Sequence, residues 1–381
     1  MDHAVTDLHL RVFRIRSIFL RMQILPKVDP IQRPGRAAAT NQTNRFERFE
    51  KVAVSDGWDL DDPLPVIRTQ VREERARSIL ARNTSPDIPF DRSINPYRGC
   101  EHGCIYCFAR PSHAYLGLSP GLDFETQLIA KPNAAEVLER QLARPGYQPA
   151  VIAIGTNTDA YQPIERDRRI MREVLQVLAA HRHPVGIVTK GSLIERDIDI
   201  LSDMAGQGLA HVGISVTTLD AGIARAMEPR VPSPARRLKT IERLASAGIP
   251  VRIQASPIVP GLTCHEIEAL VQAGADAGAA SAVCIALRLP REVAGLFRDW
   301  LADAFPDRAA RVMNRVREMH GGKDYDAAFG TRMTGTGVYA QLLRDRFHKA
   351  RDRAGLAKAL PPLRCDLFAV PPKVGDQLSL L

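Results

Sequence analysis

The sequence predicts an α/β fold built from parallel βαβ units. Two observations carry this prediction: short apolar runs alternate with amphipathic segments, and the chain has enough apolar residues for a large core. Of its 381 residues, 45% are hydrophobic and 25% are charged, which excludes a disordered or collagen-like chain. The pattern fits either an incomplete (β/α) barrel or a doubly wound sheet, and in both the site lies at the carboxyl ends of the strands.

Six apolar, mostly β-branched runs are the predicted strands of this sheet. They cover residues 94–97, 151–154, 185–189, 211–216, 251–255 and 283–287. Amphipathic segments between them predict helices. Ile170, Val174 and Leu178 recur every four residues, as on the apolar face of a helix. Ser233 and Pro234 predict the N-cap and first turn of a second helix.

Four regions follow from this pattern along the chain. Residues 1–34 are predicted to be a weakly ordered N-terminal extension, and residues 35–92 a lead-in segment that packs on the core and contains one helix around 72–82. Residues 93–289 form the core domain. Residues 290–381 are predicted to be mostly helical, with helices at 293–304, 309–319 and 338–351 and an extended tail.

The charge and cysteine content limit the partners and the compartment. There are 52 Lys and Arg residues against 43 Asp and Glu residues, a net charge of +9, which favours contact with a polyanion such as DNA. Many arginines, such as Arg166 and Arg168, lie in predicted helices, where a solvated helix face is the ordinary explanation. Six sparse cysteines indicate a reducing compartment. With neither a long apolar span nor a secretory signal pattern, the sequence predicts a cytoplasmic protein without a membrane partner.

Three of the six cysteines stand close together after the first predicted strand. Cys100, Cys104 and Cys107 place three thiolates within eight residues. A loop this tight can hold one corner of a cuboidal iron–sulfur cluster, with one thiolate on each of three irons and the fourth iron open. Two alternatives remain at this point. The loop could bind zinc with His102 or a distant cysteine as fourth ligand, or the three cysteines could be buried structural residues.

The spacing Cys-x3-Cys-x2-Cys, with Tyr106 before the last cysteine, resembles the signature of the radical S-adenosylmethionine (SAM) superfamily. The resemblance extends over residues 93–289. Three longer sequence segments resemble those of the branch related to spore photoproduct lyase and to DNA repair photolyase-like proteins. These segments are NPYRGC at 95–100, FARPSH at 108–113 and GTNTDAYQPIE at 155–165.

This resemblance implies a particular fold and a particular chemistry. The fold would be a partial (β/α)6 TIM-like barrel with an N-terminal extension and a C-terminal helical cap. Cys100, Cys104 and Cys107 would hold a [4Fe-4S] cluster whose open iron binds the amino and carboxylate groups of SAM. The reduced cluster would cleave SAM to a 5'-deoxyadenosyl radical, which abstracts hydrogen from a substrate. A low-potential donor of the flavodoxin or ferredoxin type would supply the electron.

The resemblance also implies a set of SAM contacts at successive strand ends. Tyr106 would pack near the cluster and the adenine. Lys190 would pair with the SAM carboxylate, and Ser215 would donate a hydrogen bond to it. Many members carry a Gly-Gly-Glu run after the second strand, which this chain lacks. In its place stand small polar residues and one acid, namely Thr156, Asn157, Thr158 and Asp159. Gln254 and Arg288 also lie at predicted strand ends and are candidate contacts of the substrate or of SAM.

The substrate is left open by one departure from the lyase pattern. In the lyase a cysteine near the end of the second strand donates a hydrogen atom, whereas residues 155–158 here contain no thiol. The substrate is therefore a nucleic-acid base, or alternatively a protein, peptide or small metabolite. A third possibility is a non-enzymatic iron–sulfur or zinc protein that binds nucleic acid. The other three cysteines are widely spaced, which predicts one cluster per chain.

The last five residues resemble a short docking peptide. Gln377–Leu381 (QLSLL) is similar to the segment by which bacterial repair and replication proteins bind the sliding clamp. The usual aromatic residue near its end is replaced here by leucine. The sequence therefore predicts a sliding-clamp partner for this tail.

Overall fold

A computed structural model describes residues 27–48 and 65–372 of the chain. Most of the predicted N-terminal extension and the predicted clamp-binding segment lie outside these residues. Within the described ranges the strands are β1 Gln70–Glu73, β2 Leu80–Arg82, β3 Arg92–Ile94, β4 Tyr97–Arg98, β5 Gln127–Ala130, β6 Ile152–Ile154, β7 Val185–Thr189, β8 Ala210–Ser215, β9 Val251–Ile258 and β10 Ser281–Ala286.

The helices connect these strands and follow the last of them. The α-helices of the same ranges are α1 Leu122–Thr126, α2 Ala134–Leu142, α3 Glu165–Arg168, α4 Ile170–Ala180, α5 Ile198–Gly206, α6 Ala221–Met227, α7 Pro234–Ser246, α8 Ile267–Asp276, α9 Glu292–Ala304, α10 Pro306–Met319 and α11 Gly337–Arg353. Short 3-10 helices lie at Arg110–Leu116, Ser192–Asp197 and Cys264–Glu266. No helix in residues 27–48 or 65–372 is both long enough and apolar enough to cross a membrane.

The main sheet is mostly parallel, as the sequence predicts. Its order is β10-β9-β8-β7-β6-β3-β2, and every neighbouring pair is parallel except the antiparallel pair of β2 and β3. The α/β fold class is therefore confirmed. Five of the six predicted strands overlap β6 to β10 closely. The carboxyl ends of the parallel strands lie at one edge of the sheet, where the site is expected.

The predictions of the first strand and of the lead-in helix are wrong. The strand predicted at 94–97 ends at Ile94, because Pro96 has no N–H with which to continue the ladder. The chain then enters a second sheet, in which β5 pairs with both β1 and β4. The segment around 72–82 contains β1 and β2 instead of a helix. Pairing with β5 and β3 overrides the local helical pattern there.

The predicted helices are largely confirmed. In α7, the Ser233 hydroxyl accepts a hydrogen bond from the main-chain N–H of Arg236, with Pro234 at the first position. The three helices predicted after residue 290 are α9, α10 and α11. Apolar residues of α9 and α10 share one buried cluster with Ile105 and Tyr106 of the cysteine loop. These two helices and the loop that carries the cysteines therefore share one hydrophobic cluster, whereas α11 packs against α8 and β10.

Candidate functional site

The three clustered cysteines lie on a tight loop between β4 and the 3-10 helix at Arg110–Leu116. The side chains of Cys100 and Cys104 are buried, and Cys107 is half-buried. Gly99 and Gly103 have φ values of +76° and +65°, which favour glycine. A Cβ at position 99 would lie 2.6 Å from a methyl group of Leu128, and one at position 103 would lie 2.7 Å from a Glu125 oxygen. The loop can therefore follow this path only with glycine at these two positions.

A fully buried ion pair holds this loop in place. Arg110 Nη2 lies 2.5 Å from Glu125 Oε1, and both side chains are 0% exposed. Glu125 also accepts hydrogen bonds from the main-chain N–H groups of Ala37 and Ala38. The Arg110 guanidinium donates further to four main-chain carbonyl oxygens, those of Gly103, Cys104, Pro120 and Gly121. The cysteine loop is thus fixed by Arg110, which lies in the segment FARPSH, and by Glu125, which no sequence motif singles out.

The environment of the thiols combines burial with one nearby cation. Burial raises the pKa of the Cys100 and Cys104 thiols well above the usual value, while the Lys190 ammonium opposes that rise at Cys104. Lys190 directly follows β7, and its Nζ lies 5.8 Å from the centroid of the Tyr106 ring. Three sulfurs of this kind are the soft ligands that an iron–sulfur cluster requires. Among the described residues, no three Cys, His, Asp or Glu side chains converge closely enough to share a single metal ion.

Asp159 joins three strand-end segments to one another. Its Oδ1 accepts a hydrogen bond from the Thr189 hydroxyl at 2.6 Å and one from the Tyr161 main-chain N–H at 2.9 Å. Its Oδ2 accepts the main-chain N–H of Lys190 at 2.8 Å and lies 3.2 Å from Nδ1 of His102 in the cysteine loop. Burial raises its pKa, but His102 and these hydrogen bonds outweigh burial and hold the pKa well below the usual range. Three hydrogen bonds and the close contact with His102 therefore engage both carboxylate oxygens.

The side chain of Tyr106 and the main chain of Ser215 are connected through a buried ion pair. The Tyr106 hydroxyl donates to Glu228 Oε1, and Glu228 Oε2 lies 2.8 Å from Nη2 of Arg237. Arg237 Nη1 then donates to the main-chain oxygen of Ser215 at 2.8 Å. The Ser215 hydroxyl itself donates to Gln254 Oε1 at 3.4 Å. Sequence reasoning missed Glu228 and Arg237, because neither stands in a motif or at a predicted strand end.

The remaining predicted contacts differ in how free their polar atoms are. The buried hydroxyl of Thr158 donates to the main-chain oxygen of Tyr97 at 3.1 Å. Thr156 is half-buried, and its hydroxyl makes no hydrogen bond within the described part of the chain. Lys190 Nζ likewise donates no hydrogen bond to any described residue. Thr156 and Lys190 are therefore the predicted contacts whose polar ends are open to a ligand.

Replacing Asp159 by asparagine is expected to destabilise the fold by about 1–3 kcal/mol. An amide keeps one acceptor oxygen but turns an NH2 group toward the main-chain N–H of Lys190 and toward His102, so a buried donor loses its acceptor. Denaturant unfolding measures this change. The matched control is Asp167→Asn, whose side chain is 73% exposed and whose effect should stay within about 0.5 kcal/mol. Equal effects of the two substitutions would contradict the bridging role of Asp159.

Comparisons with known proteins agree with this geometry. The family model described as the radical SAM superfamily matches residues 94–273. The uncharacterized protein Rv2578c of Mycobacterium tuberculosis is 37% identical over 235 residues, which is 61% of this chain and 68% of that protein. The uncharacterized protein MJ0683 of Methanocaldococcus jannaschii is 27% identical over 169 residues, 44% of this chain and 61% of that protein.

A solved structure shares the fold at low sequence identity. Spore photoproduct lyase complexed with dinucleoside spore photoproduct aligns with a TM-score of 0.52 and 14% identity, covering 74% of this chain and 79% of that one. At this identity the likeness concerns the fold. Together with the family model and the mycobacterial relative, it agrees with the cysteine loop and the parallel sheet described above. The chain therefore belongs to the radical SAM superfamily.

Proposed function

We propose that the protein is a radical SAM enzyme in which Cys100, Cys104 and Cys107 hold a [4Fe-4S] cluster. The single observation that carries this proposal is the rigid, glycine-flanked loop that presents three soft ligands beside the carboxyl ends of parallel strands. When bound, the cluster and SAM supply a one-electron cleavage that generates a hydrogen-abstracting radical. In such a cluster each thiolate binds a different iron, so the three sulfurs need not converge on one ion.

The residues around the loop have separate tasks in this proposal. Lys190 supplies the cation for the SAM carboxylate, and Thr156 supplies an open hydroxyl. Ser215 donates to the carboxylate by exchanging its 3.4 Å hydrogen bond to Gln254 for one to SAM. Tyr106, fixed through Glu228, packs near the adenine. Thr158 and Asp159, whose polar atoms the protein itself engages, hold the strand-end loops in position for these contacts. Burial of the loop keeps water from the reacting groups.

The proposed architecture follows the superfamily. Residues 93–289 form the core domain, in which β3, β6, β7, β8, β9 and β10 curve into a partial (β/α)6 barrel. Of the other predicted regions, the described residues 27–34 belong to the N-terminal extension, 35–48 and 65–92 to the lead-in that packs on the core, and 290–372 to the helical cap and the segment after it. The enclosed strand ends then provide a space in which a radical is shielded from solvent.

A nucleic-acid base is the substrate that the sequence favours. The positive net charge of the chain and its three lyase-like sequence segments support this choice. Modification of a protein, peptide or small metabolite is the alternative, because residues 155–158 lack the donor thiol of the lyase. A flavodoxin or ferredoxin type donor would provide the electron in the cytoplasm. The sliding-clamp contact of Gln377–Leu381 stays a prediction from the sequence.

Anaerobically reconstituted protein is expected to contain about four irons per chain and, once reduced, to convert SAM to 5'-deoxyadenosine. Iron analysis and chromatographic detection of 5'-deoxyadenosine measure the two properties separately. Protein that is colourless after oxygen-free preparation, or that retains zinc in place of iron, would contradict the proposal. An iron content well above four would contradict the prediction of a single cluster.

A further inference from the structure

The main sheet has one face that carries several polar side chains. Ile253 of β9 packs on α8, because a Cβ at Gly274 of that helix would lie 2.6 Å from Ile253 Cδ1. Side chains alternate along a strand, so Arg252 and Gln254 point to the opposite face. We call this the inner face. It consists of the residues that share that side across β7 to β10, namely Gly186, Val188, His211, Gly213, Ser215, Arg252, Gln254, Ser281 and Val283.

Two glycines make room on the inner face for polar side chains. A Cβ at Gly213 would lie 2.6 Å from Nε2 of Gln254, and a Cβ at Gly186 would lie 2.7 Å from Cε1 of His211. Each polar side chain thus extends across the glycine of the neighbouring strand. The side chains of His211, Arg252 and Gln254 are all half-buried, so the inner face is partly open to solvent. We call this polar, partly exposed part of the sheet the inner-face groove.

The charge of this groove is unbalanced. Arg252 Nε donates to the Ser281 hydroxyl at 3.2 Å, but Arg252 pairs with no carboxylate within residues 27–48 and 65–372. Burial lowers the pKa of Arg252, and burial together with Arg252 lowers the pKa of His211, which favours the neutral imidazole. By contrast, the buried Arg110 and Arg237 each lie against a carboxylate. A partly buried guanidinium without a counter-charge costs free energy, which a bound anion would offset.

Arg252 lies directly beneath the proposed SAM site. Gln254 pairs with Ser215 in the sheet register, and Arg252 pairs with Gly213. Two residues along a strand span about 7 Å. Arg252 therefore belongs to the layer of the inner face next to the strand ends where Lys190 and Ser215 lie, and its Nε contacts Ser281 of β10.

We infer that Arg252 binds an oxyanion of the substrate, a phosphate or a carboxylate, in the inner-face groove. The guanidinium is suited to this task because its two terminal nitrogens form a fork that matches either group. Gln254 and His211 supply uncharged hydrogen-bonding groups beside it. The placement of the anion next to SAM rests on the proposed function, whereas anion binding itself can be measured without SAM.

The test compares Arg252→Gln with Arg140→Gln in full-length, anaerobically reconstituted protein. Arg140 lies on α2 with a side chain that is 63% exposed, so its substitution makes the same change in net charge far from the groove. Titration calorimetry at low salt uses three probes: inorganic phosphate, the dinucleotide thymidylyl-thymidine and succinate. We expect at least one probe to bind the wild type and Arg140→Gln alike, and to bind Arg252→Gln about tenfold more weakly or worse.

The pattern across the probes identifies the anion. If phosphate and the dinucleotide bind and succinate does not, the anion is a phosphate. If only succinate binds, the anion is a carboxylate. The inference is overturned if no probe binds the wild type, or if the two variants weaken binding equally. Failure of the wild type to cleave SAM would instead overturn the proposed function, because probe binding is measured without that reaction.

A thermal readout separates binding from a structural role. Replacing Arg252 removes a charge that lacks a carboxylate partner and one hydrogen bond to Ser281, so the Tm of ligand-free protein should change little. Loss of a contact on which the fold depends would lower it. A probe that binds the folded state raises the Tm of the wild type. We expect Arg252→Gln to retain its ligand-free Tm and to lose this probe-induced rise. A lower ligand-free Tm with an intact rise would assign Arg252 to the fold and overturn the inference.

Discussion

Replacing Cys104 by alanine is expected to abolish 5'-deoxyadenosine formation and to lower the iron content from about four per chain to well below one. Cys104 stands in the middle of the triplet and is only 7% exposed, so a distant thiol cannot reach its place. Alanine is small and apolar, and at this buried position the fold should lose only about 1 kcal/mol. Loss of iron would therefore reflect loss of a ligand and not unfolding. Iron analysis, the visible absorption of the cluster and circular dichroism together make this distinction.

The matched control is Cys365→Ala. Cys365 is half-buried in the segment that follows α11, and it is remote in sequence from the triplet. This variant should keep both the iron and the SAM cleavage of the wild type. If Cys104→Ala retained its full iron content, other thiols would be the ligands. The assignment of Cys100, Cys104 and Cys107 as the cluster site would then be wrong.

The elements that the sequence predicts correctly are those whose signal is local. Strands such as β7 are largely buried, so their sequences are mostly apolar and β-branched. In α7, the capping serine and first-turn proline mark the start of the helix within one turn. The errors fall where a distant segment decides the structure. β1 and β2 are strands because β5 and β3 offer free edges, and no pattern within 72–82 contains that information.

The same distinction between local and distant determinants holds for the candidate site. Short sequence segments are enough to identify the cysteine spacing and the residues at strand ends. They predict that Lys190 and Asp159 lie near the loop. The sequence cannot give the direction of a polar atom. Whether the Thr158 hydroxyl faces a ligand or the Tyr97 carbonyl depends on packing between segments 61 residues apart. The pairing of Tyr106 with Glu228 spans 122 residues.

Replacing Arg110 by methionine is expected to destabilise the protein by about 3–5 kcal/mol, the largest stability effect predicted for this chain. The substitution leaves the fully buried Glu125 carboxylate without its counter-charge. It also leaves four main-chain carbonyl oxygens of the cysteine loop and its surroundings without their donor. Denaturant unfolding measures the loss. Bound iron should fall as well, because the loop that carries Cys104 is no longer held in place.

An exposed ion pair provides the comparison. Arg75 and Glu136 lie 3.3 Å apart with side chains that are 77% and 55% exposed, so Arg75→Met should cost less than about 1 kcal/mol. The double variant Arg110→Met, Glu125→Gln should be less destabilised than the sum of the two single variants, because it buries no unpaired charge. A simple sum, or an effect of Arg110→Met no greater than that of Arg75→Met, would show that the buried pair does not organise the loop. The cysteine spacing would then have to fix the loop geometry without this support.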